Sequence, residues 1–207
     1  MARIETVERT IYQFDELDDD AKETARNWYR GCIESDEISD VDDWQAIAAI
    51  LGVEFSTRRV PLHGGGTRHA PEIYWTLNPD SAAFAGRYTY AKQSPKRIRE
   101  YAPQDTVLHG IADRLAAIQR RNFYRLAADC DTGGHDGTSQ KVQSLRINNR
   151  DYHEYIDCDE IKSALTDFAH WIACQVSAQW DYLHSDENVD ECIRINEYEF
   201  DESGNIV

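Results

Sequence analysis

Long apolar runs are missing from this chain. The longest nearly continuous one, Ala46 to Val53, is far short of the ~18–20 residues that span a bilayer. Arg3, Glu5 and Glu8 interrupt any apolar leader at the start. Cys-x-x-Cys pairs are missing too. Cys32, Cys130, Cys158, Cys174 and Cys192 are odd in number and widely spaced, which fits reduced thiols in a cytoplasmic protein better than a disulfide framework. There is no Gly-x-Ser-x-Gly elbow, no Walker loop and no dinucleotide fingerprint, so serine-hydrolase and nucleotide chemistry lack their usual supports. These absences predict a soluble protein with no membrane segment, no cofactor and no catalytic residue set.

Positive charge is also scarce overall, with 22 Lys and Arg against 38 Asp and Glu and a net charge of −16. The deficit is uneven. Residues 1–45 hold 14 acids and 5 bases, residues 46–130 hold 7 acids and 12 bases, and residues 131–207 hold 17 acids and 5 bases. Acidic ends therefore flank a basic middle. The overall sign opposes direct binding to nucleic acid or anionic membranes, and the basic middle is expected to pair with the chain's own acidic ends. The alternative is a nucleic-acid surface, with Arg114, Arg120, Arg121 and Arg125 following Lys92, Lys96, Arg97 and Arg99, and with Tyr88, Tyr90 and Tyr101 nearby for stacking.

Eleven Tyr, five Trp and six Phe are present, and 41% of the residues are hydrophobic, enough for a packed core. Thr10 to Phe14 reads as a strand, and Ala21, Ala25, Trp28 and Ile33 form the buried stripe of a helix over 18–33. Asp40 is the expected cap of a second helix that stops at Gly52. Val53–Val60 reads as one strand ended by Pro61, and His63-Gly64-Gly65-Gly66 as a loop. Glu72–Leu77 and Ala83–Ala91 read as a hairpin about the Asn78-Pro79-Asp80-Ser81 turn, with Gly86 where a close approach fits. A helical turn after Pro95 precedes a helix opened by Asp105 or Thr106, with Leu108, Ile111, Ala112, Leu115 and Ile118 as its stripe. Phe123–Cys130 and Lys141–Asn148 read as strands about a turn at Gly133–Gly137, before a polar loop at Asn149–Asp157. A long helix from Asp159 to about His184, a short one capped at Ser185 and a last strand at Glu197–Phe200 complete the chain. The expected fold is a single α+β domain over 1–207, a mostly antiparallel sheet of about five to seven strands with four or five helices packed on it.

Three local constellations invite chemistry. His63 with its glycines resembles an oxyanion-hole segment, and His63 with His69 is a candidate hydrolase loop or metal pair. His170 and Cys174, one helical turn apart, are a candidate metal pair or activated thiol. Asp157, Asp159 and Glu160 are candidate ligands for a hard cation. Zinc needs three or four ligands, and carboxylates before a helix more often cap it. Each constellation therefore reads more simply as loop, packing or cap, and no metal is expected.

Three stretches together resemble a known family. The opening YQFDELDDDAKETARNWYR, the middle runs AAFAGRYTYA and YAPQDTVLHGIADRLAAIQRRNFYRLAA, and the ending SDENVDECIRINEYEFDESG are similar to uncharacterised phage and prophage proteins with a YxFDELsdeAkexAr opening. Such proteins are often labelled antitoxin of a toxin–antitoxin stability system. At EIYWTLNPDSAAF this chain departs from the Gly- and Ser-rich segment of many of them. The resemblance implies a gene carried by phage or another mobile element, whose product binds and inhibits a host or rival protein machine without catalysis, in the manner of an anti-CRISPR or an antitoxin. Candidate partner-binding residues are the aromatic and basic Trp75, Tyr88, Tyr90, Arg97 and Arg121, should they be exposed. The acidic Asp18, Asp19, Asp20, Asp42 and Asp43 are further candidates, since such arrays can imitate the phosphates of a duplex. A homodimer is compatible with the sequence but not specified by it.

Overall fold

A computed structural model describes residues 9–34, 38, 41–77, 80–131, 146–149 and 158–207. In chain order the elements are β1 (Tyr12–Gln13), α1 (Asp19–Arg30), α2 (Val41–Leu51), β2 (Val53–Phe55), β3 (Thr57–Pro61), β4 (Thr67–Pro71), β5 (Ile73–Leu77), β6 (Asp80–Phe84), β7 (Gly86–Thr89), α3 (Ser94–Tyr101), α4 (Thr106–Arg121), β8 (Ala127–Asp131), β9 (Arg146–Asn149), α5 (Cys158–Leu183), α6 (Asp186–Ile195) and β10 (Glu199–Phe200). The class is α+β, as the sequence predicts. The expected cap at Asp40, the tip at Asn78-Pro79, the turn at Gly133–Gly137 and the loop with Tyr152 and Tyr155 lie outside the described residues. The chain divides into two compact units. One comprises residues 1–38 and 178–207, the other residues 39–177.

The first unit joins the two ends of the chain. β1 pairs antiparallel with β10, Tyr12 opposite Phe200. Phe14, Leu17, Ala21 and Ala25 pack with Val189, Ile193 and Phe200 in its core, and Trp28 sets its ring edge against Tyr198, 5.1 Å between centroids. Asp18 caps α1 by accepting the Ala21 N–H at 2.8 Å, and Ser185 caps α6 by accepting from Asn188 N–H. Arg26 forks onto Asp190, Nε to Oδ1 at 2.7 Å and Nη2 to Oδ2 at 2.9 Å. The pair is largely shielded from water, and such bidentate contacts are the strong form of an ion pair.

The second unit corrects the expectation of one large sheet. Its largest sheet has four strands in the order β2-β7-β8-β9, and β3–β4 and β5–β6 are separate two-stranded ribbons. The physical reason is a three-way junction. The run 53–61 pairs with β7 up to Phe55 and with β4 from Thr57 onward. The run 67–77 changes partner at Glu72, and the run 80–89 changes at Ala85. The three turning residues bond one another in a ring: Ser56 N–H to Ala85 O at 2.9 Å, Glu72 N–H to Ser56 O at 2.8 Å, and Ala85 N–H to Glu72 O at 2.9 Å. No backbone group at the switch is left unpaired by it. The glycine loop is thus the tip of a hairpin whose second strand, β4, the sequence reading did not single out. Helices also outnumber the expected four or five, with six among the described residues, because the expected turn after Pro95 is a full helix, Ser94–Tyr101.

Helices supply the rest of that core. The predicted α4 stripe of Leu108, Ile111, Ala112, Leu115 and Ile118 is buried, as are Ile161, Leu165, Phe168, Ile172 and Val176 of α5. Phe168 meets Phe84 at 5.7 Å and Phe55 at 6.4 Å. Asp105 does two jobs, capping α4 through Leu108 N–H at 2.9 Å and accepting Trp171 Nε1–H of α5 at 2.7 Å. Gly86 sits where the sequence asked for close approach, since a Cβ there would lie 2.3 Å from Glu54 O. Gly86→Ala is therefore expected to cost about 1–3 kcal/mol by forcing β2 and β7 apart. Gly64→Ala, in open space at the hairpin tip, should change stability by less than about 0.5 kcal/mol. Urea unfolding of the two variants checks the contrast.

Candidate interaction surface

The most exposed aromatic cluster among the described residues begins where α4 ends. Asn122 follows the helix, and the next two residues take left-handed backbone, Phe123 at φ 52° and Tyr124 at φ 61°. For bulky residues this costs of order 1–3 kcal/mol each and persists only where the surroundings over-determine it. Here they do. Tyr124 N–H reaches back to Gln119 O at 2.7 Å, and Arg125 N–H to Asn122 O at 3.2 Å. Gln119, buried among apolar side chains, then clamps the backbone of Leu126. Its Nε2 donates to Leu126 O at 2.8 Å and its Oε1 accepts from Leu126 N–H at 3.2 Å. The expected strand over Phe123–Cys130 therefore begins only at Ala127.

This turn delivers rings to solvent. Phe123 is 80% exposed and Tyr124 49%, and the Tyr124 ring lies against Tyr90 with 4.6 Å between centroids. Tyr90 also borders a shallow hollow of about 480 Å³ lined with Gln45, Glu54, Phe55 and Thr89. Arg120, Arg121 and Arg125 adjoin the rings in sequence and are exposed. Arg121 is paired with Glu160 of α5. Among the described residues Arg120 and Arg125 carry no ion pair. The cluster is an aromatic corner edged with cations, the composition of interface hot spots.

The other sequence candidates are placed as follows. Tyr88 proves buried, not a surface residue, because β7 is central in its sheet and the ring points inward, where its hydroxyl accepts from Gln119 Nε2 at 3.3 Å. Trp75 is half-buried, its ring edge-on to Trp44 at 5.6 Å. Arg97 is exposed and without an ion pair among the described residues. Asp18, Asp19 and Asp20 are exposed at the start of α1 in the first unit, with Asp18 committed as its cap. Asp42 and Asp43 are exposed on the first turn of α2 in the second, where Asp43 accepts the Tyr101 hydroxyl. Pairing of the basic middle with the acidic ends is realised in part, by Arg114–Asp167 and Arg121–Glu160, while Arg99 pairs with Asp113 inside the middle itself.

The candidate chemical groups are scattered. His63 stands at the tip of the β3–β4 hairpin and His69 opposite Arg59, both exposed. Cys174 Sγ lies 3.7 Å from His170 Nε2 on the exposed side of α5. No three His, Cys, Asp or Glu gather as a metal-binding group among the described residues. Asp157 lies outside them, and Glu160 is engaged by Arg121. No helix of the described residues is long and apolar enough to cross a membrane.

Residues 38–186 match a family described as Domain of unknown function (DUF8835). The chain belongs to this family. The matched segment contains all of the second unit, with its three-way junction, aromatic corner and hairpins, and leaves most of the first unit outside it. No curated protein matches the chain, and no solved structure does.

Two buried groups on neighbouring strands, Tyr88 of β7 and Cys130 of β8, make the family segment sensitive to alkali. Burial pushes the Tyr88 hydroxyl up from its ordinary 10.0 to about 12. Burial, with the Asp129 charge adding to it, pushes the Cys130 thiol up from 9.0 to about 12. The folded state holds both protons where the unfolded chain has released them, so stability is complete below about pH 9 and falls as pH rises toward 12. The urea midpoint should hold steady up to about pH 9 and drop above it, and Cys130→Ala should remove the earliest part of the drop.

Proposed function

We propose that this protein acts by binding, docking on a partner protein through the aromatic corner of Tyr90, Phe123 and Tyr124. The single observation that carries the reading is the pair of left-handed aromatics. A chain that holds Phe123 in costly backbone and leaves its ring in water has kept something that folding alone would discard. The basic edge supplied by Arg120 and Arg125 fits an acidic or mixed protein surface. The resemblance to phage and prophage proteins supports a mobile-element origin. With it comes the more specific reading of a non-enzymatic inhibitor of a host or rival machine, a defence complex or a toxin. Action inside the host cell follows from that reading.

Phe123→Asn tests the reading without harming the fold. Asn tolerates left-handed backbone far better than Phe, so the variant should be as stable as the parent or more so, by up to ~1 kcal/mol. Tagged parent and variant are used as parallel baits in a bacterial lysate challenged by phage, with captured proteins identified by mass spectrometry. The expected result is a component of a defence or toxin system held by the parent and lost by Phe123→Asn. Identical protein sets on both baits would contradict the proposal.

A further inference from the structure

We propose that the β3–β4 hairpin is a duplex-DNA contact arm, a function separate from the aromatic corner. From Thr57 to Pro71 the chain holds three Arg and two His and no acid. Every residue from Pro61 to His69 is exposed, and a Cβ on Gly64, Gly65 or Gly66 would meet nothing within 4 Å. The hairpin tip is therefore surrounded by solvent. Arg59 and Arg68 have no ion pair among the described residues, and Arg58 lies over the Tyr74 ring at 5.3 Å, which steadies it without neutralising it. The acids nearest in sequence, Glu54 and Glu72, are at the root.

The register decides which polyanion fits. Arg58 stands opposite Ala70 and Arg68 opposite Val60, while Arg59 stands opposite His69. Side chains alternate between the faces of a strand, so Arg58 and Arg68 share one face and Arg59 and His69 share the other. An acidic protein surface meets one face of a ribbon. A groove walled by phosphates meets both. Two strands ~4.8 Å apart with their side chains suit the major groove of B-form DNA, about 12 Å wide, and five residues at ~3.4 Å each reach along it. The deep, narrow major groove of A-form RNA excludes the same ribbon.

Net charge no longer stands against this. The first unit holds 20 acids and 6 bases, a net of −14, and the second 18 acids and 16 bases, a net of −2. Most of the net −16 belongs to the unit that does not carry the arm, and the unit that carries it is close to neutral.

The test is fluorescence anisotropy of the full chain with a labelled mixed-sequence DNA duplex, a double-stranded RNA of equal length and labelled poly-glutamate, at low and rising salt. Parent protein should bind the DNA duplex more tightly than either of the others. The triple variant Arg58→Ala, Arg59→Ala, Arg68→Ala, with unchanged circular dichroism, should lose at least about ten-fold in affinity. Its salt slope should fall by about 2–3, at ~0.9 per phosphate contact removed. Phe123→Asn should bind DNA like the parent. No duplex binding at low salt, binding unchanged in the triple variant, or equal preference for poly-glutamate would each overturn the proposal.

Discussion

A ring of three backbone hydrogen bonds, joining Ser56, Glu72 and Ala85, is the constraint on which the family segment of this protein depends. Each of three strand runs changes partner at that ring, so three ribbons leave it along different pairings. One ribbon runs into the four-stranded sheet and places Tyr88 in the core and Tyr90 at the surface. A second carries Trp75 against Trp44. The third, β3–β4, has no sheet to join and remains in solvent. Ring and core act together here. Phe55 and Phe84, immediate neighbours of the switch residues, lie against each other and against Phe168 of α5, so the point where pairing changes is also where aromatic packing holds the strands.

Local signals in the sequence were good guides where one residue type has one physical use. Asp105 and Ser185 cap the helices they precede, the α4 stripe is buried, and Gly86 marks a close approach. The junction could not be read in the same way. Its members are Ser, Glu and Ala bonded through backbone atoms, and nothing in their side chains announces a change of partner. The run 53–61 alternates as one strand should, and it is one strand, but with two partners.

The candidate surface was legible only in part, for a related reason. Phe123 and Tyr124 are strong strand formers, and in these left-handed positions they contradict their own propensity. What places them there is Gln119, a polar residue that the helical stripe offers no reason to expect inside. Tyr88 and Tyr90 sit two apart and share an expected face, yet one is core and the other corner, because the strand ends between them at Thr89. Charge counted along the chain hides how it is divided between the folded units. Counted by folded unit, nearly all of the net negative charge falls in the unit made from the two ends, and the basic middle belongs to a unit close to neutrality.

Amide hydrogen exchange followed by NMR is the most direct test of the central claim, that the ring fixes the strands and sets the third ribbon free. The amides of Ser56, Glu72 and Ala85 should exchange only when the second unit unfolds as a whole, while those of Gly65 and Arg68 exchange far faster through opening of the hairpin alone. Fast exchange at the three ring amides, or protection of the hairpin tip equal to theirs, would contradict it.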